Sequence, residues 1–475
     1  MRYGLTFDDV LLVPKRSGIS SRQEINLATR LTKKIALNIP FLSANMDTVT
    51  ESRLAIALAR EGGLGVIHRF LTIEDQAREV EKVKRAEQFV IDDPYFIGPN
   101  ALLGDALALM KEKNVTSLMV VKSGGELNGI LTQRDTHLET DLTRRVKDLM
   151  TPQARLITGR RGLSMAAATK ILREHRLEKL PLVDAAGRLA GLITSRDIYQ
   201  IKKHALAVKD AKGRLLVGAT IGIQPDWLKR ARALIKAGAD VLVLDIAHGH
   251  LEKAMVVIKS FKKAFLNQEI IGGNVATAQG TLDLIKAGAD AIKVGVGPGS
   301  ACITRMVAGV GVPQLTAIMD CAQAARTKNI PVIADGGLRQ PGDIAKAIAA
   351  GADTIMSGFI FAGTEETPGQ PLIKDGRKYK VYRGMASLGA GLGRNARYQQ
   401  DENDALYTAT PEGVEALVNY RGTLREAIKP FIDGLRSGMS YTGARTIKEF
   451  HQKAEFMEVS QASQRESGSH DILKV

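Results

Sequence analysis

The chain has few cysteines, few aromatic residues and no long apolar run. Two of its 475 residues are cysteine and one is tryptophan. Two cysteines are too few for a disulfide framework, so we expect reduced thiols and a cytoplasmic protein. No stretch of about 18 apolar residues occurs, and the start MRYGLTFDDV has no apolar segment behind a charged one. We therefore expect neither a membrane span nor a secretion signal.

Positive charge exceeds negative charge along the chain. There are 66 Lys and Arg against 51 Asp and Glu, which gives a formal net charge of +15. Such a balance can attract phosphate-bearing ligands or nucleic acid. No Lys/Arg block is interleaved with aromatic residues, so we favour a solvated basic surface over a nucleic-acid interface. The length and the 44% hydrophobic content are sufficient for two to three domains.

Eight short apolar runs alternate with stretches of helix-favouring Ala, Leu and Lys. The runs are IPFLSANM, GGLGVIH, LLVGATIG, DVLVLDIAHG, EIIGGNVAT, DAIKVGVG, IPVIADGG and DTIMSGFIFAG. Continuous apolar runs are typical of parallel strands buried on both faces. Eight of them predict an α/β fold of the (β/α)₈ TIM-barrel type rather than an open doubly wound sheet. The phrases KAGAD, at Lys236 and Lys286, and AAGAD, at Ala349, predict helices that end on a left-handed glycine.

The barrel pattern stops between the second and third runs, from about residue 92 to 203. Within this window NGILTQRD is echoed by AGLITSRD, which indicates an internal duplication of a small αβ unit. The pair resembles a CBS-domain tandem, with units at about 92–149 and 150–203, inserted between barrel segments 1–91 and 204–475. The resemblance implies a regulatory purine nucleotide, ATP or GTP, held at two Thr-x-x-Asp turns, Thr132 with Asp135 and Thr194 with Asp197. The alternative is a duplicated packing unit without a ligand.

Glycine-rich segments follow the predicted seventh and eighth strands, namely ADGGLRQPGDIA from Ala334 and MSGFIFAG from Met356. Barrel enzymes bind phosphate on these loops and place their catalytic residues at the carboxyl ends of the strands. Glycine lets backbone N–H groups approach an anion, and a helix that begins nearby adds its positive dipole end. The segments predict a phosphorylated small-molecule ligand, with tight turns alone as the alternative.

Cys302 follows the glycine-rich loop GVGPGS at the end of the predicted sixth strand. This loop is not a dinucleotide-binding G-x-G-x-x-G, because Ser300 occupies the third glycine position and the strand lies within the barrel. A thiolate at a strand's carboxyl end is placed to act as a nucleophile. The loop carbonyls could bind a cation or face solvent. Cys321, in the helical run TAIMDCAQAA, is expected to be a buried, inert thiol.

Phrases along almost the whole chain resemble the family of inosine 5′-monophosphate (IMP) dehydrogenase and GMP reductase. They include LTFDDVLLVP, SANMDTVTE, GGLGVIHR, GVGPGSACITR, YRGMASLGA and AEFMEVSQASQRESGSHD. The resemblance implies NAD-dependent oxidation of IMP to XMP, the committed step of guanine nucleotide synthesis. Cys302 would add to C2 of the purine, hydride would leave for NAD, and water would hydrolyse the thioimidate. A flap at about 383–420 would supply Arg397 and Tyr398 for hydrolysis, with Thr304 activating water and Glu412 relaying protons.

The same resemblance assigns binding roles. The substrate positions are Ser300, Asp335, Gly336, Gly337, Gly358, Phe359, Tyr382, Gly384, Met385 and Glu412. The cofactor positions are Asp245, Asn274, Gly295, Val296 and Gly297. A potassium ion is expected on carbonyls of Gly295, Gly297 and Cys302, completed by Glu466, Ser467 and Gly468 from a neighbouring subunit. A site shared in this way implies a homotetramer, which the CBS pairs could join into octamers.

Three positions depart from the usual family pattern. Phe359 replaces a serine, Ala386 replaces a glycine and Ile303 replaces a threonine. These changes bear on affinity and turnover more than on the type of reaction.

Two alternatives remain. An NADPH-dependent GMP reductase is indicated by the phrase NMDTV, whereas the Arg397–Tyr398 pair and the phrase MVAGVGVPQ favour the dehydrogenase. A nucleotide-sensing or nucleic-acid-binding protein with weak catalysis is suggested by the basic charge and the CBS pair. The complete set of Cys, Thr, Arg, Tyr and Glu argues against this second alternative.

Overall fold

Eight parallel strands form a closed barrel in the computed structural model, which describes residues 1–87, 89–392 and 410–468. We number the strands along the chain: β1 Phe41–Ser43, β2 Leu64–Ile67, β3 Gly218–Ile221, β4 Val241–Asp245, β5 Glu269–Val275, β6 Ala291–Val294, β7 Val332–Asp335 and β8 Thr354–Ser357. Each strand pairs with the next, and β8 pairs with β1. Every one of them lies within a predicted apolar run, so the barrel prediction is confirmed.

A helix follows each barrel strand. These helices are α1 Ser52–Arg60, α2 Ile73–Ala86, α3 Trp227–Ala237, α4 Glu252–Ala264, α5 Ala278–Ala287, α6 Gln314–Arg326, α7 Pro341–Ala349 and α8 Leu424–Tyr441. The predicted glycine ends are confirmed, because Gly238 after α3 and Gly288 after α5 have φ of 101° and 110°. Gly351, beyond α7, also has a φ of 110°.

The barrel unit carries further short elements. A three-stranded antiparallel sheet contains Leu372–Lys374, Arg377–Arg383 and Glu415–Asn419, the last of which follows residues 393–409 in the sequence. Two-stranded sheets join Val10–Leu12 to Phe456–Glu458 and Thr29–Arg30 to Ala36–Leu37. Further helices are Thr304–Ala308, residues 388–392, Ile447–Lys453 and Gln461–Glu466, with 3₁₀ turns at Phe7–Asp9 and Arg22–Glu24. No helix in the described ranges is long and apolar enough to cross a membrane.

Residues Glu87–Ala205 and Ala211–Arg214 form a second compact unit. Its first sheet contains Phe96–Ile97, Ser117–Val121, Leu127–Thr132 and Thr151–Pro152, and its second contains Gly159–Arg160, Lys179–Val183 and Leu189–Thr194. Its α-helices are Leu103–Lys113, Gln133–Thr136, Val146–Leu149, Met165–Glu174 and Ser195–Lys203, and Gln153–Arg155 forms a 3₁₀ turn. The sequence duplication therefore coincides with a repeated helix–strand–strand–helix order, while the CBS assignment and its boundaries stay predictions.

The two Thr-x-x-Asp turns of this unit have the same local structure. Each threonine precedes a helix, and its hydroxyl donates to the aspartate three residues later, at 2.8 Å from Thr132 to Asp135 and 2.5 Å from Thr194 to Asp197. Burial raises the pKa of Asp197. The Asp135 carboxylate also accepts from the Thr132 N–H at 2.8 Å, and the Thr194 oxygen accepts from the Asp197 N–H at 3.1 Å. Both turns therefore cap their helices, which accounts for the residues structurally whether or not a nucleotide binds.

Candidate active site

A cavity of about 610 Å³ lies at the carboxyl ends of the barrel strands. It is lined by every predicted catalytic, substrate and cofactor residue of the described ranges: Asp245, Asn274, Gly295, Val296, Gly297, Ser300, Cys302, Thr304, Asp335, Gly336, Gly337, Gly358, Phe359, Tyr382, Gly384, Met385 and Glu412. Arg397 and Tyr398 lie outside the described residues. Glu466, Ser467 and Gly468 lie at the end of the described chain and do not line this cavity.

The loop after β6 places Cys302 at the cavity. Gly295 has a φ of 151°, and a Cβ atom there would lie 2.2 Å from the carbonyl oxygen of Asp335, so only glycine fits. The Cys302 N–H donates to the Gly299 carbonyl at 3.0 Å, and the Ile303 N–H donates to the Glu412 carbonyl at 2.8 Å. The loop is thereby held against the segment that carries Glu412.

Cys302, Thr304 and Glu412 form a continuous hydrogen-bonded chain. The Thr304 hydroxyl donates to Glu412 Oε2 at 2.7 Å, and its oxygen lies 3.2 Å from Cys302 Sγ. Because a hydroxyl has one proton, donation to Glu412 leaves the Thr304 oxygen to accept from the thiol. This geometry allows a proton to pass from the thiol toward the carboxylate.

Arg305 stabilises the same loop by hydrogen bonds to two backbone carbonyls. Its Nε donates to the Val296 carbonyl at 3.1 Å and its Nη2 to the Val312 carbonyl at 2.6 Å.

The Gly295 carbonyl accepts from Asn274 Nδ2 at 2.8 Å. A carbonyl oxygen has a second lone pair, so the Gly295 oxygen can accept one more contact. The potassium site on these carbonyls stays a prediction.

The turn after β7 packs against the Cys302 loop and adds groups that suit an anion. Gly336 and Gly337, directly after β7, have φ of 83° and 79°, and both line the cavity. The Gly336 N–H donates to the Met356 carbonyl at 3.2 Å, so Gly337 is the glycine of this turn whose amide we expect to meet an anion. Ser300 Oγ donates to the Tyr382 hydroxyl oxygen at 3.3 Å. Burial raises the pKa of Tyr382, so the phenol stays a neutral hydrogen-bond donor. Backbone amides and hydroxyls together can bind a phosphate group.

The eighth-strand loop has a hydroxyl that the sequence interpretation missed. Ser357 ends β8, lines the cavity and accepts from the Ile360 N–H at 3.2 Å. Phe359 also lines the cavity, and its ring centroid lies 4.5 Å from the Arg421 guanidinium carbon. The sequence feature that could have indicated this hydroxyl is a serine two positions before Phe359, at the end of a buried strand.

The loop after β1 supports the segment that contains Met385. The Asp47 N–H donates to Met385 Sδ at 3.4 Å, and the Asp47 carboxylate accepts from Arg383 Nε at 3.1 Å. The Arg383 N–H donates to Thr48 Oγ1 at 3.3 Å. The phrase NMDTV therefore positions one of the residues predicted to contact the base.

Lys293 is a buried cation at the wall of the cavity, and the sequence interpretation gave it no role. Its ammonium donates to Asp245 at 2.5 Å, to Asp335 at 2.7 Å and to the Asn274 side-chain oxygen. Burial would lower the pKa of Lys293, but the two aspartates raise it well above its ordinary range. Burial would likewise raise the pKa of Asp245, but Lys293 lowers it. The sequence feature that could have indicated this role is a lysine inside the apolar run DAIKVGVG.

The fold and the cavity are those of a (β/α)₈ barrel with a cysteine beside glycine-rich loops at the carboxyl ends of its strands. The family model described as IMP dehydrogenase / GMP reductase domain matches residues 4–470. The chain belongs to this family.

Curated relatives carry both names of the family. An inosine-5′-monophosphate dehydrogenase from Nitrosopumilus maritimus is 52% identical over 99% of this chain and 98% of its own length. A GMP reductase from Leishmania major is 47% identical over 99% of this chain and 98% of its own length. Likeness at this level therefore supports the family, and it does not distinguish IMP dehydrogenase from GMP reductase.

A solved structure matches the complete chain. A cysteine-to-alanine variant of GMP reductase from Trypanosoma brucei, in complex with guanosine 5′-monophosphate, is similar with a TM-score of 0.93 and 43% identity. The match covers 100% of this chain and 99% of that structure.

Proposed function

We propose that this enzyme oxidises IMP to XMP with NAD through a covalent intermediate on Cys302. The observation that carries the proposal is the chain Cys302–Thr304–Glu412, which lies in the same cavity as the glycine loops after β7 and β8. A nucleotide anchored by its phosphate on those loops would extend its purine toward the thiol. The sequence pair Arg397–Tyr398 favours oxidation and hydrolysis over reduction.

The first half of the reaction needs a thiolate. Glu412 draws the proton of Cys302 through the Thr304 hydroxyl, and the sulfur then attacks the electron-poor C2 of the purine. Carbon two becomes tetrahedral and can release hydride. NAD, when bound, accepts that hydride. Expulsion of hydride restores the double bond at C2 and leaves a thioimidate on the enzyme.

The second half of the reaction is hydrolysis. Water adds to C2, its proton passes to a base, and the C–S bond breaks to release XMP and the thiol. Once Glu412 has released the first proton to solvent, Thr304 and Glu412 can orient the water and accept its proton, which returns to the Cys302 sulfur as the C–S bond breaks. We assign the activating role to Arg397 and Tyr398 by resemblance to the family.

Asp245 and Asn274 are the side chains that we propose for the NAD site. Their polar atoms line the cavity beside the Gly295–Gly297 loop, where close backbone approach suits a ribose and a nicotinamide. For potassium we propose the carbonyls of Gly295, Gly297 and Cys302, with Glu466, Ser467 and Gly468 from a neighbouring subunit. This arrangement would make the homotetramer the active form.

The second compact unit is proposed to bind ATP or GTP and to regulate the barrel. The repeated turns at Thr132–Asp135 and Thr194–Asp197 support this assignment. The unit could also join tetramers into octamers. Two unpaired cysteines support action in the cytoplasm.

GMP reductase activity is the second candidate. It is favoured by the likeness to the Trypanosoma brucei structure that contains guanosine 5′-monophosphate. In this direction NADPH would supply hydride to C2 and the 2-amino group of GMP would leave as ammonia, giving IMP.

Two parallel assays test the proposal. Purified full-length protein is given IMP, NAD and potassium, and separately GMP and NADPH, while absorbance of the reduced nicotinamide is followed and the purine products are separated by chromatography. We expect equal amounts of NADH and XMP in the first assay and no NADPH consumption in the second. NADPH consumption with ammonia release, and no XMP, would reject the dehydrogenase in favour of the reductase.

A further inference from the structure

Lys293 joins two groups that belong to different predicted ligand sites. All three residues line the cavity, but the Lys293 side chain is only 2% exposed, whereas those of Asp245 and Asp335 are 25% and 18% exposed. Asp245 ends β4 and Asp335 ends β7. One buried ammonium therefore links carboxylates on two non-adjacent barrel strands.

The hydrogen bonds of the ammonium fix both carboxylates. A lysine has three N–H donors, and those of Lys293 meet three acceptors, on Asp245, Asn274 and Asp335. Asn274 in turn donates to Asp335 Oδ2 at 2.9 Å, and Asn45 donates to Asp245 Oδ2 at 2.9 Å. Within the described residues, Asp335 Oδ1 receives no hydrogen bond, which leaves it available for a ligand hydroxyl.

We propose that Lys293 is a positioning residue that couples binding of the nucleotide at Asp335 to binding of the dinucleotide at Asp245. The inference rests on the proposed function in assigning the two aspartates to different ligands. It goes beyond that function because it gives Lys293, to which the proposed function assigns no role, the task of linking the two sites.

The proposed coupling has a physical basis in the orientation of the two carboxylates, which both ligands would restrict. A ribose hydroxyl that binds Asp335 restricts that carboxylate and, through it, the three-way arrangement around Lys293. Asp245 is then already oriented when the second ligand arrives, so that ligand loses less conformational entropy on binding. Such a linkage is reciprocal: each ligand must tighten binding of the other by the same factor.

A purely structural role is the competing explanation, since an unpaired buried charge is costly in any position. The barrel offers a matched control in Lys84, whose side chain is 3% exposed and whose ammonium donates to Asp240 at 2.7 Å and Asp210 at 3.1 Å. Asp240 immediately precedes β4, at the end opposite Asp245. Lys84 therefore has the same chemistry and burial without the two ligand sites.

The test measures coupling without turnover. Cys302→Ala protein is titrated by calorimetry with the nucleotide, with and without saturating dinucleotide, using whichever pair the wild-type enzyme turns over, IMP with NAD or GMP with NADPH. The ratio of the two Kd values is the coupling factor. Titrations are repeated with Lys293→Met, Lys293→Gln and Lys84→Met added to Cys302→Ala, and thermal unfolding is recorded for each.

We expect a coupling factor of at least about fivefold in the parent and the Lys84→Met protein, falling to about one in the Lys293 variants. Lys293→Gln keeps a neutral donor, so it supplies the measurement if Lys293→Met fails to fold. A coupling factor in the folded Lys293 variant equal to that of the parent would overturn the inference, as would a parent without coupling. The ligands for this test are chosen from the activity that the wild-type enzyme shows. The test can therefore be carried out even if the enzyme proves to be a reductase and the dehydrogenase proposal fails.

Discussion

The Thr304 oxygen lies 3.2 Å from the sulfur of Cys302, at the start of a helix that begins two residues after the thiol. The same hydroxyl donates to Glu412, which is 108 residues away in the sequence. A nucleophile, a proton carrier and a carboxylate are thus brought together by two loops, and the relay gives each residue a separable role.

Cys302→Ala is expected to abolish turnover while nucleotide binding remains, because the substitution removes only the nucleophile from a cavity of many contacts. The matched control is Cys321→Ala, since Cys321 is fully buried in α6 and lies outside the cavity. Steady-state rates and calorimetric titrations of both variants check this. Substantial turnover by Cys302→Ala would exclude covalent catalysis by this thiol.

Thr304→Ala and Glu412→Gln are each expected to reduce the turnover number by about 10²–10⁴-fold, the usual contribution of general acid–base groups. Because the two residues act in one relay, the double variant should lose little more than the slower single variant. Multiplicative losses would mean that Thr304 and Glu412 act independently.

Arg397→Ala should leave the first hydride transfer intact and slow hydrolysis. Rapid mixing with IMP and NAD is expected to give a burst of NADH near one equivalent per active site, followed by slow turnover, and mass spectrometry should find the purine adduct on Cys302. Loss of the burst together with turnover would place Arg397 in the redox step instead.

Ser357→Ala is expected to weaken nucleotide binding about tenfold. A hydrogen bond to a charged group contributes about 1.5 kcal/mol or more, and about 1.4 kcal/mol corresponds to a factor of ten in Kd. Titration with IMP and with inosine separates a phosphate contact from a general loss of structure. The same loss for the nucleoside as for the nucleotide would show that Ser357 does not bind the phosphate.

The two thiols should differ in reactivity toward iodoacetamide. Burial raises the pKa of Cys321 to about 12, so it has almost no thiolate at pH 8, whereas Cys302 is half-buried and lines the cavity. Peptide mapping after brief labelling should find modification at Cys302, suppressed by bound IMP. Modification of Cys321 at the same rate would contradict the assignment of an inert core thiol.

The barrel could be predicted because its strands are buried on both faces and so appear in the sequence as uninterrupted apolar runs. The strands β4 and β7 end on the two aspartates that the family resemblance singled out, Asp245 and Asp335. The glycines that end α3 and α5 could also be predicted, because a left-handed backbone conformation after a helix strongly favours glycine.

The contacts inside the site were less accessible. Lys293 stands in an apolar run, but only the closed barrel shows that its ammonium meets carboxylates from β4 and β7. The support of Met385 by Asp47 joins segments 338 residues apart, a distance that no local pattern encodes. The family resemblance supplied roles for single residues, whereas these networks are products of tertiary packing.

Deuterium transfer from C2 of the purine tests the central claim most directly. The enzyme is given IMP labelled with deuterium at C2, together with NAD and potassium, and the reduced cofactor and the purine are analysed by mass spectrometry. The proposed function predicts deuterated NADH in an amount equal to unlabelled XMP. XMP without label in the cofactor, or label retained in unchanged IMP while GMP and NADPH are consumed in a parallel reaction, would contradict it.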